Sequence, residues 1–176
     1  KQVGALTTWS TIASGEYHTL ATKTDGTLWS WGQNNVGQLG DGTATNRSSP
    51  VQVGALTTWL KVACGGYFTL ATKTDGTLWT WGYNYYGQLG YSDNVGTFTG
   101  ISSPKQVGAL TTWLNVEGIA GSTLATKTDG TLWLWGKQGG LGGGNNGGLG
   151  DNTTTNRSSP VQTVTGGNNW SKVSVG

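Results

Sequence analysis

The sequence predicts an all-β chain built by repeating one small antiparallel unit, and three observations lead there. Among 176 residues there are 32 Gly and 10 Trp, no Met and only 10% charged residues. Turn-making and strand-filling residues are therefore abundant, while the helix-forming Glu, Lys and Met are scarce. The stretch Thr19-Leu20-Ala21-Thr22-Lys23-Thr24-Asp25-Gly26-Thr27-Leu28-Trp29 recurs letter for letter at Thr69 to Trp79 and at Thr123 to Trp133. Each copy centres on an Asp-Gly pair between two β-rich segments, at Asp25-Gly26, Asp75-Gly76 and Asp129-Gly130. Such a pair is a strong hairpin signal, because both residues tolerate the positive φ of a tight two-residue turn.

The heptad Val-Gly-Ala-Leu-Thr-Thr-Trp stands at Val3 to Trp9, Val53 to Trp59 and Val107 to Trp113, and a degenerate copy ends at Trp170. Subtracting residue numbers puts these tryptophans 50, 54 and 57 residues apart. Each period reads as four short strands. The first runs from Trp9 to Ala13, or Trp59 to Ala63, and stops at Gly15 or Gly65. The second and third, Thr19 to Thr24 and Thr27 to Trp31, are joined by Asp25-Gly26. A polar Gly/Asn segment follows Trp31-Gly32, and the fourth strand is Pro50-Val51-Gln52-Val53. Pro50 is expected at its first position, where a missing N–H costs least. Four strands per period without helical periodicity describe the blade of a β-propeller; the rungs of a parallel β-helix are shorter and do not use tight antiparallel hairpins. Trp9, Trp29, Trp31 and their counterparts recur at a fixed phase. Inter-blade packing and outer-strand filling require such a phase, and a unique site does not. The chain is expected to be a single propeller segment over 1–176, with repeats at about 1–50, 51–104 and 105–160 and a partial one at 161–176.

The segment Trp31-Gly32-Gln33-Asn34-Asn35-Val36-Gly37-Gln38-Leu39-Gly40-Asp41-Gly42-Thr43, with His18-Thr19-Leu20-Ala21 and Asp25-Gly26-Thr27-Leu28-Trp29, resembles the repeat of the regulator of chromosome condensation family. The second copy matches at Trp81-Gly82-Tyr83-Asn84-Tyr85-Tyr86-Gly87-Gln88-Leu89-Gly90; the third keeps Trp135-Gly136 and Gly147-Gly148-Leu149-Gly150-Asp151. The resemblance implies a seven-bladed propeller, which needs roughly twice this length. The chain reads as an orphan outer strand at Lys1 to Gly4, three complete blades and the opening strand of a fourth at Trp170 to Val175. The expectation is a part of a longer polypeptide that completes the ring, or else a second copy that does so. An open arc would leave an unpaired strand edge and an apolar blade face at each end. The start in mid-pattern at Lys1-Gln2-Val3, without Met, agrees with a processed or partial chain.

Composition and motif spacing exclude several function classes. The net charge of +2 comes from 10 basic and 8 acidic residues scattered singly, so no basic run could follow a line of phosphates and no nucleic-acid partner is expected. No apolar run approaches the ~20 residues of a membrane span. The single Cys64 permits no internal disulfide and reads as a small buried apolar residue. The single His18 aligns with Phe68 and Ser122, which points to a packing and hydrogen-bonding role at a strand end. Asp25, Asp75 and Asp129 belong to hairpin turns, Asp41 and Asp151 to a turn after Gly, and Glu16, Asp93 and Glu117 are isolated. The Gly/Asn-rich segment Gly139 to Gly148 has no carboxylate until Asp151 and no Lys-Ser/Thr after it, so it fits neither a calcium nor a phosphate loop. No enzyme, metal site or cofactor is expected.

Recognition is then expected where the copies diverge, on loops carried by a rigid frame. Asn34-Asn35-Val36 stands against Tyr83-Asn84-Tyr85-Tyr86; copy two adds residues, Phe98 among them, between Tyr91 and Ile101; copy three expands within Lys137 to Asn146. Tyr83, Tyr85, Tyr86 and Tyr91, with Asn34 and Asn35, are the candidate binding residues. Tyrosines among Asn and Gly provide large contact area at low entropy cost with a polar tip, suited to a protein or glycan partner. Copy three also replaces Tyr17 or Tyr67 by Gly121, and Gly15 or Gly65 by Ile119, which predicts irregular packing of its first strand. The functional expectation is a non-enzymatic interaction or structural module exposed outside a cell or on a virion, since low charge and near-identical tandem copies are similar to bacterial and bacteriophage members of the family. Guanine-nucleotide exchange with chromatin association, as in the family's namesake, is the alternative, and an enzyme inhibitor using loop aromatics comes third.

Overall fold

The computed structural model describes residues 8–139, 147–164 and 167–171. The strands in chain order are β1 (Trp9–Ser14), β2 (His18–Lys23), β3 (Leu28–Gly32), β4 (Arg47–Gln52), β5 (Trp59–Cys64), β6 (Phe68–Lys73), β7 (Leu78–Tyr83), β8 (Gly100–Gln106), β9 (Trp113–Ile119), β10 (Ser122–Lys127), β11 (Leu132–Gly136) and β12 (Arg157–Gln162). They form three four-stranded antiparallel sheets, each pairing its strands in sequence order. β1 lies against β5 and β5 against β9, so the sheets fan out from their first strands as blades of a partial propeller. The proposed strands at Lys1 to Gly4 and beyond Ser171 lie outside the described residues, as does most of the Lys137 to Asn146 expansion.

Blades are joined by apolar seams and a repeated polar lock. Leu20 and Leu28 of the first blade pack with Val53, Trp59, Ala71 and Trp81; Phe68, Leu70, Leu78 and Leu89 of the second pack with Val107, Trp113, Val116 and Trp135. Within each seam one carbonyl takes two hydrogen bonds from the next blade. Gln38 O accepts from Thr69 Oγ1 at 2.8 Å and Trp81 Nε1 at 3.0 Å; Gln88 O accepts from Thr123 Oγ1 at 2.7 Å and Trp135 Nε1 at 2.9 Å. Trp81 and Trp135 are completely buried, so each indole adds apolar burial and satisfies its N–H at once. Trp29, Trp79 and Trp133 lie partly buried, with Lys23, Lys73 and Lys127 ammoniums 3.8, 3.6 and 3.5 Å from their ring centroids.

The hairpin differs in detail from the expected two-residue turn. Gly26 adopts φ 77°, but Asp25 is not at positive φ. Gly26 N donates to Lys23 O at 2.9 Å and Lys23 N to Thr27 O at 3.0 Å, which makes a three-residue loop with its left-handed residue at Gly26. The Asp25 carboxylate instead accepts from Thr27 N at 2.9 Å and Thr27 Oγ1 at 2.6 Å. A methyl group on Gly26 would collide with the Thr57 carbonyl, because the next repeat begins on this turn. Trp59 N donates to Gly26 O at 3.2 Å, and the bond recurs from Trp113 to Gly76 and from Trp170 to Gly130, both at 3.1 Å.

Two further expectations are corrected. Pro50 lies inside β4, in the stretch where register passes from Ser30↔Val51 to Gly32↔Arg47. A bulge on an outer strand has no ladder bond for Pro to lose. The first strand of copy three pairs like its counterparts: β9 runs to Ile119 and pairs along β10 with the same single register shift near its tryptophan as β1 and β5, and the departure falls just after it, where Ala120 takes φ 33°. The substitutions there compensate. Gly65 leaves room for the Phe68 ring, which a methyl group would strike, whereas Ile119 lies opposite the small Ser122.

Candidate binding surface

The loops after β3, β7 and β11 share a buried base. Asn34, completely buried, accepts from Leu39 N at 2.9 Å and donates to Asp41 Oδ1 at 3.0 Å and Thr45 O at 3.1 Å. Asn84, also completely buried, accepts from Leu89 N at 2.8 Å and donates to Tyr91 O at 2.9 Å and Asp93 O at 2.6 Å. In the third loop Gln138 takes this place, accepting from Leu149 N at 3.2 Å and donating to Asp151 Oδ1 at 2.8 Å. Asn34 and Asn84 each serve several backbone groups that burial would otherwise leave unpaired, whereas Gln138 serves the Leu149 N–H and the Asp151 carboxylate.

Above the base the loops part. In the first, the Asp41 carboxylate holds Thr43 N at 3.0 Å, Thr43 Oγ1 at 2.7 Å and Arg47 Nε at 2.7 Å. Burial acts to raise its pKa, but these bonds from Thr43 and Arg47, with Asn34, outweigh it and hold the pKa below the usual range. Asp151 repeats the arrangement with Thr153 and Arg157; against the opposing effect of burial, its pKa falls to about 2. In the second loop Tyr91 stands where Asp41 did. Its ring packs on the seam between blades two and three, its hydroxyl donates to Thr80 O at 3.1 Å, and Lys105 Nζ lies 4.6 Å from its centroid. Burial pushes the phenol pKa up. Asn34 and Tyr91, two of the six candidates from sequence, are thus engaged in the scaffold.

The other four border solvent. Tyr83 and Tyr85 are stacked with centroids 6.1 Å apart and planes 15° apart, and Phe98 lies 6.4 Å from Tyr83 and 5.2 Å from Tyr85 with planes 25° and 33° away. Phe98 is 77% exposed. Tyr86 meets Tyr85 edge-on at 5.0 Å, while its own ring lies over Gly121 and under the Lys137 ammonium, 5.3 Å from the centroid. Tyr86 thus fills the space left by the missing aromatic at position 121. Asn35 is exposed at the tip of the first loop.

Between the first and second loops lies a groove of about 470 Å³, lined by Gln33, Asn35, Val36, Tyr67, Tyr83 and Phe98. Tyr17 lies 5.9 Å from Tyr67 with the ring planes tilted by 43°. A hydrogen bond to Glu16 raises the Tyr17 pKa; burial, then Glu16, raises that of Tyr67. Sequence divergence marked Tyr83, Asn35 and the addition carrying Phe98. It missed Tyr67, whose identity with Tyr17 made it look like scaffold, and Gln33. A second cavity of about 340 Å³, bordered by Asp41, Val53, Leu56, Trp59, Lys73 and Trp79, lies along the seam between blades one and two.

Groups suited to catalysis are placed for packing. His18 is buried beside Thr69, Nε2 to Oγ1 at 3.1 Å. Thr69 already donates its proton to Gln38 O, so His18 Nε2 must carry a proton and donate. Burial lowers its pKa to about 4. Burial likewise pushes the Cys64 thiol pKa up. Among the described residues no three His, Cys, Asp or Glu gather as a metal site, and no helix is long and apolar enough to cross a membrane.

Comparison with known proteins gives concordant results. A family model described as the regulator of chromosome condensation (RCC1) repeat matches residues 25–72 and 75–123, and a second model of that description matches 9–38 and 59–88. Among solved structures, Prp20p from Saccharomyces cerevisiae, described with its binding to Gsp1p and histones, superposes with TM-score 0.76 at 21% identity over 90% of this chain and 39% of its own. Human WBSCR16 gives 0.75 at 23% identity over 92% and 39%. Yeast RCC1 (Prp20) bound to Kap60 gives 0.74 at 21% identity over 90% and 37%. The chain spans about two-fifths of the length of these structures.

Proposed function

Because this chain belongs to the regulator of chromosome condensation repeat family, we propose that it is a non-enzymatic interaction module that binds a protein or glycan partner through its variable loops. The observation that carries this reading is the set formed by the exposed Phe98 ring and the half-buried Tyr83 and Tyr85 rings, beside a groove on loops whose bases are buried. Rigid aromatic area held in place before contact reduces the ordering cost of binding. The scattered charge, 10 basic against 8 acidic residues, supports a partner other than nucleic acid. That balance, with the Thr/Asn/Gly/Trp-rich composition, supports an exposed setting as a secreted, cell-surface or virion component. The remaining blades would come from the same longer chain or from a second copy.

A second reading, guanine-nucleotide exchange or chromatin association, is favoured by the likeness to Prp20p, itself described with binding to Gsp1p and histones. An enzyme inhibitor using the same rings comes third. Binding of immobilised glycans, candidate proteins, histones and Gsp1p separates the readings, with nucleotide release from Gsp1p followed in parallel. The module reading expects a protein or glycan signal that Tyr85→Ser with Phe98→Ala abolishes. Accelerated nucleotide release, unaffected by those substitutions, would replace it with the second reading.

A further inference from the structure

We infer that the groove between the first and second loops is a subsite for a neutral oligosaccharide, laid along the amides of Gln33 and Asn35 and across the rings of Tyr83 and Phe98. The inference rests on the interaction-module reading and specifies its ligand. Charge complementarity is the first argument. The groove is lined by two side-chain amides, one valine and three aromatic rings, with no ionised side chain. A phosphate, carboxylate or ammonium entering it would lose hydration without gaining a counter-charge. The flanking carboxylate, Glu16, is already engaged with Tyr17 and Tyr67.

Shape and hydrogen bonding favour a sugar over a peptide. Tyr83, Tyr85 and Phe98 have planes within 33° of one another and centroids 5.2–6.4 Å apart. Near-parallel rings of this kind offer an outer aromatic face, which suits the flat C–H face of a pyranose. Among the described residues, the Tyr83 and Tyr85 hydroxyls meet no hydrogen-bond partner, and the Gln33 amide is likewise unengaged. Amides and phenols both donate and accept, as sugar hydroxyls require. An extended peptide needs main-chain partners instead, and two of the lining N–H groups are already given: Val36 N to Gln38 Oε1 at 3.1 Å, and Gln33 N to Tyr17 O at 2.9 Å.

The test is titration calorimetry of the protein with cellohexaose, maltohexaose, chitohexaose and mannohexaose, with oligogalacturonate as the anionic probe and a proline-rich peptide as the protein-like one. Variants are Phe98→Ala and Asn35→Ala, with Ile12→Ala as a control at an exposed position of β1 that does not line the groove. At least one neutral hexamer should bind, about tenfold more weakly to Phe98→Ala. Its affinity should be unchanged by Ile12→Ala and by added salt, since no ion pair contributes. Heat from none of the neutral hexamers, from oligogalacturonate alone, or equally from Phe98→Ala overturns the sugar assignment. Peptide binding that depends on Phe98 overturns it too, while leaving the interaction module standing. If nothing that binds the protein responds to Phe98 or Tyr85, the module reading falls as well.

Discussion

The loops after β3 and β7 start alike and finish differently. Asn34 and Asn84 occupy the same phase, are completely buried, and take the amides of Leu39 and Leu89 in the same way. The first loop then closes on a polar clasp between Asp41, Thr43 and Arg47. The second sends Tyr91 into the seam, carries the residues up to Gly100 as an addition, and turns Tyr83, Tyr85 and Phe98 outward. The base is scaffold common to every copy, and the tip is free to change because the base does not depend on it.

Removing the shared base should have the largest effect. Asn84→Ala strands three backbone partners in a buried site and should cost about 3 kcal/mol of unfolding free energy in urea titrations; a loss as small as that of a surface substitution would break the equivalence of the two loops. Next comes His18, a buried scaffold position of copy one whose titration burial displaces. His18, with a folded pKa of about 4, lies below its unfolded value of ~6.5. The unfolded chain therefore takes up a proton first as pH falls. The contribution of neutral His18 is complete above about pH 6.5 and is lost as pH falls towards 4, amounting to about 2–3 kcal/mol. His18→Phe, the residue of copy two, should remove that part of the pH dependence, measured by thermal melts across the window. Persistence of the full slope would place its origin elsewhere.

Smaller effects test the tip. Tyr86, packed over Gly121, should cost roughly 1–2 kcal/mol on replacement by Ser, because a half-buried ring leaves a void there. Phe98→Ala, at an exposed ring, should fall within about 0.5 kcal/mol. A reversal of that order in denaturant midpoints would mean that Phe98 is structural and Tyr86 the freer contact.

Much of this was legible from repetition. Triplicated hairpins and a fixed tryptophan phase suffice for blades, because packing between equivalent units demands equivalent residues. Finer points escaped for physical reasons. The Asp25 side chain caps Thr27 instead of turning the backbone, and a two-letter turn signal cannot distinguish these. Pro50 sits in a bulge, which no strand pattern announces. Gln138 replaces Asn34 with one more methylene, and the loop expansion beside it hides the alignment. Asn34 looked like a contact residue because polar loop residues usually face water, yet its amide is the centre of the loop. Tyr67 is a copy of Tyr17, and repetition marks scaffold, although only one of the two lines the groove.

Native-state hydrogen exchange tests the separation of base from tip most directly. Leu39 and Leu89 amides, bonded to buried asparagines, should exchange as slowly as the amides of β6. The Thr97 amide, on the exposed addition with a 3.2 Å bond to Asn94 O, should exchange orders of magnitude faster. Leu89 exchanging as fast as Thr97 would show that the second loop moves as one piece, and would contradict a contact surface carried on a fixed frame.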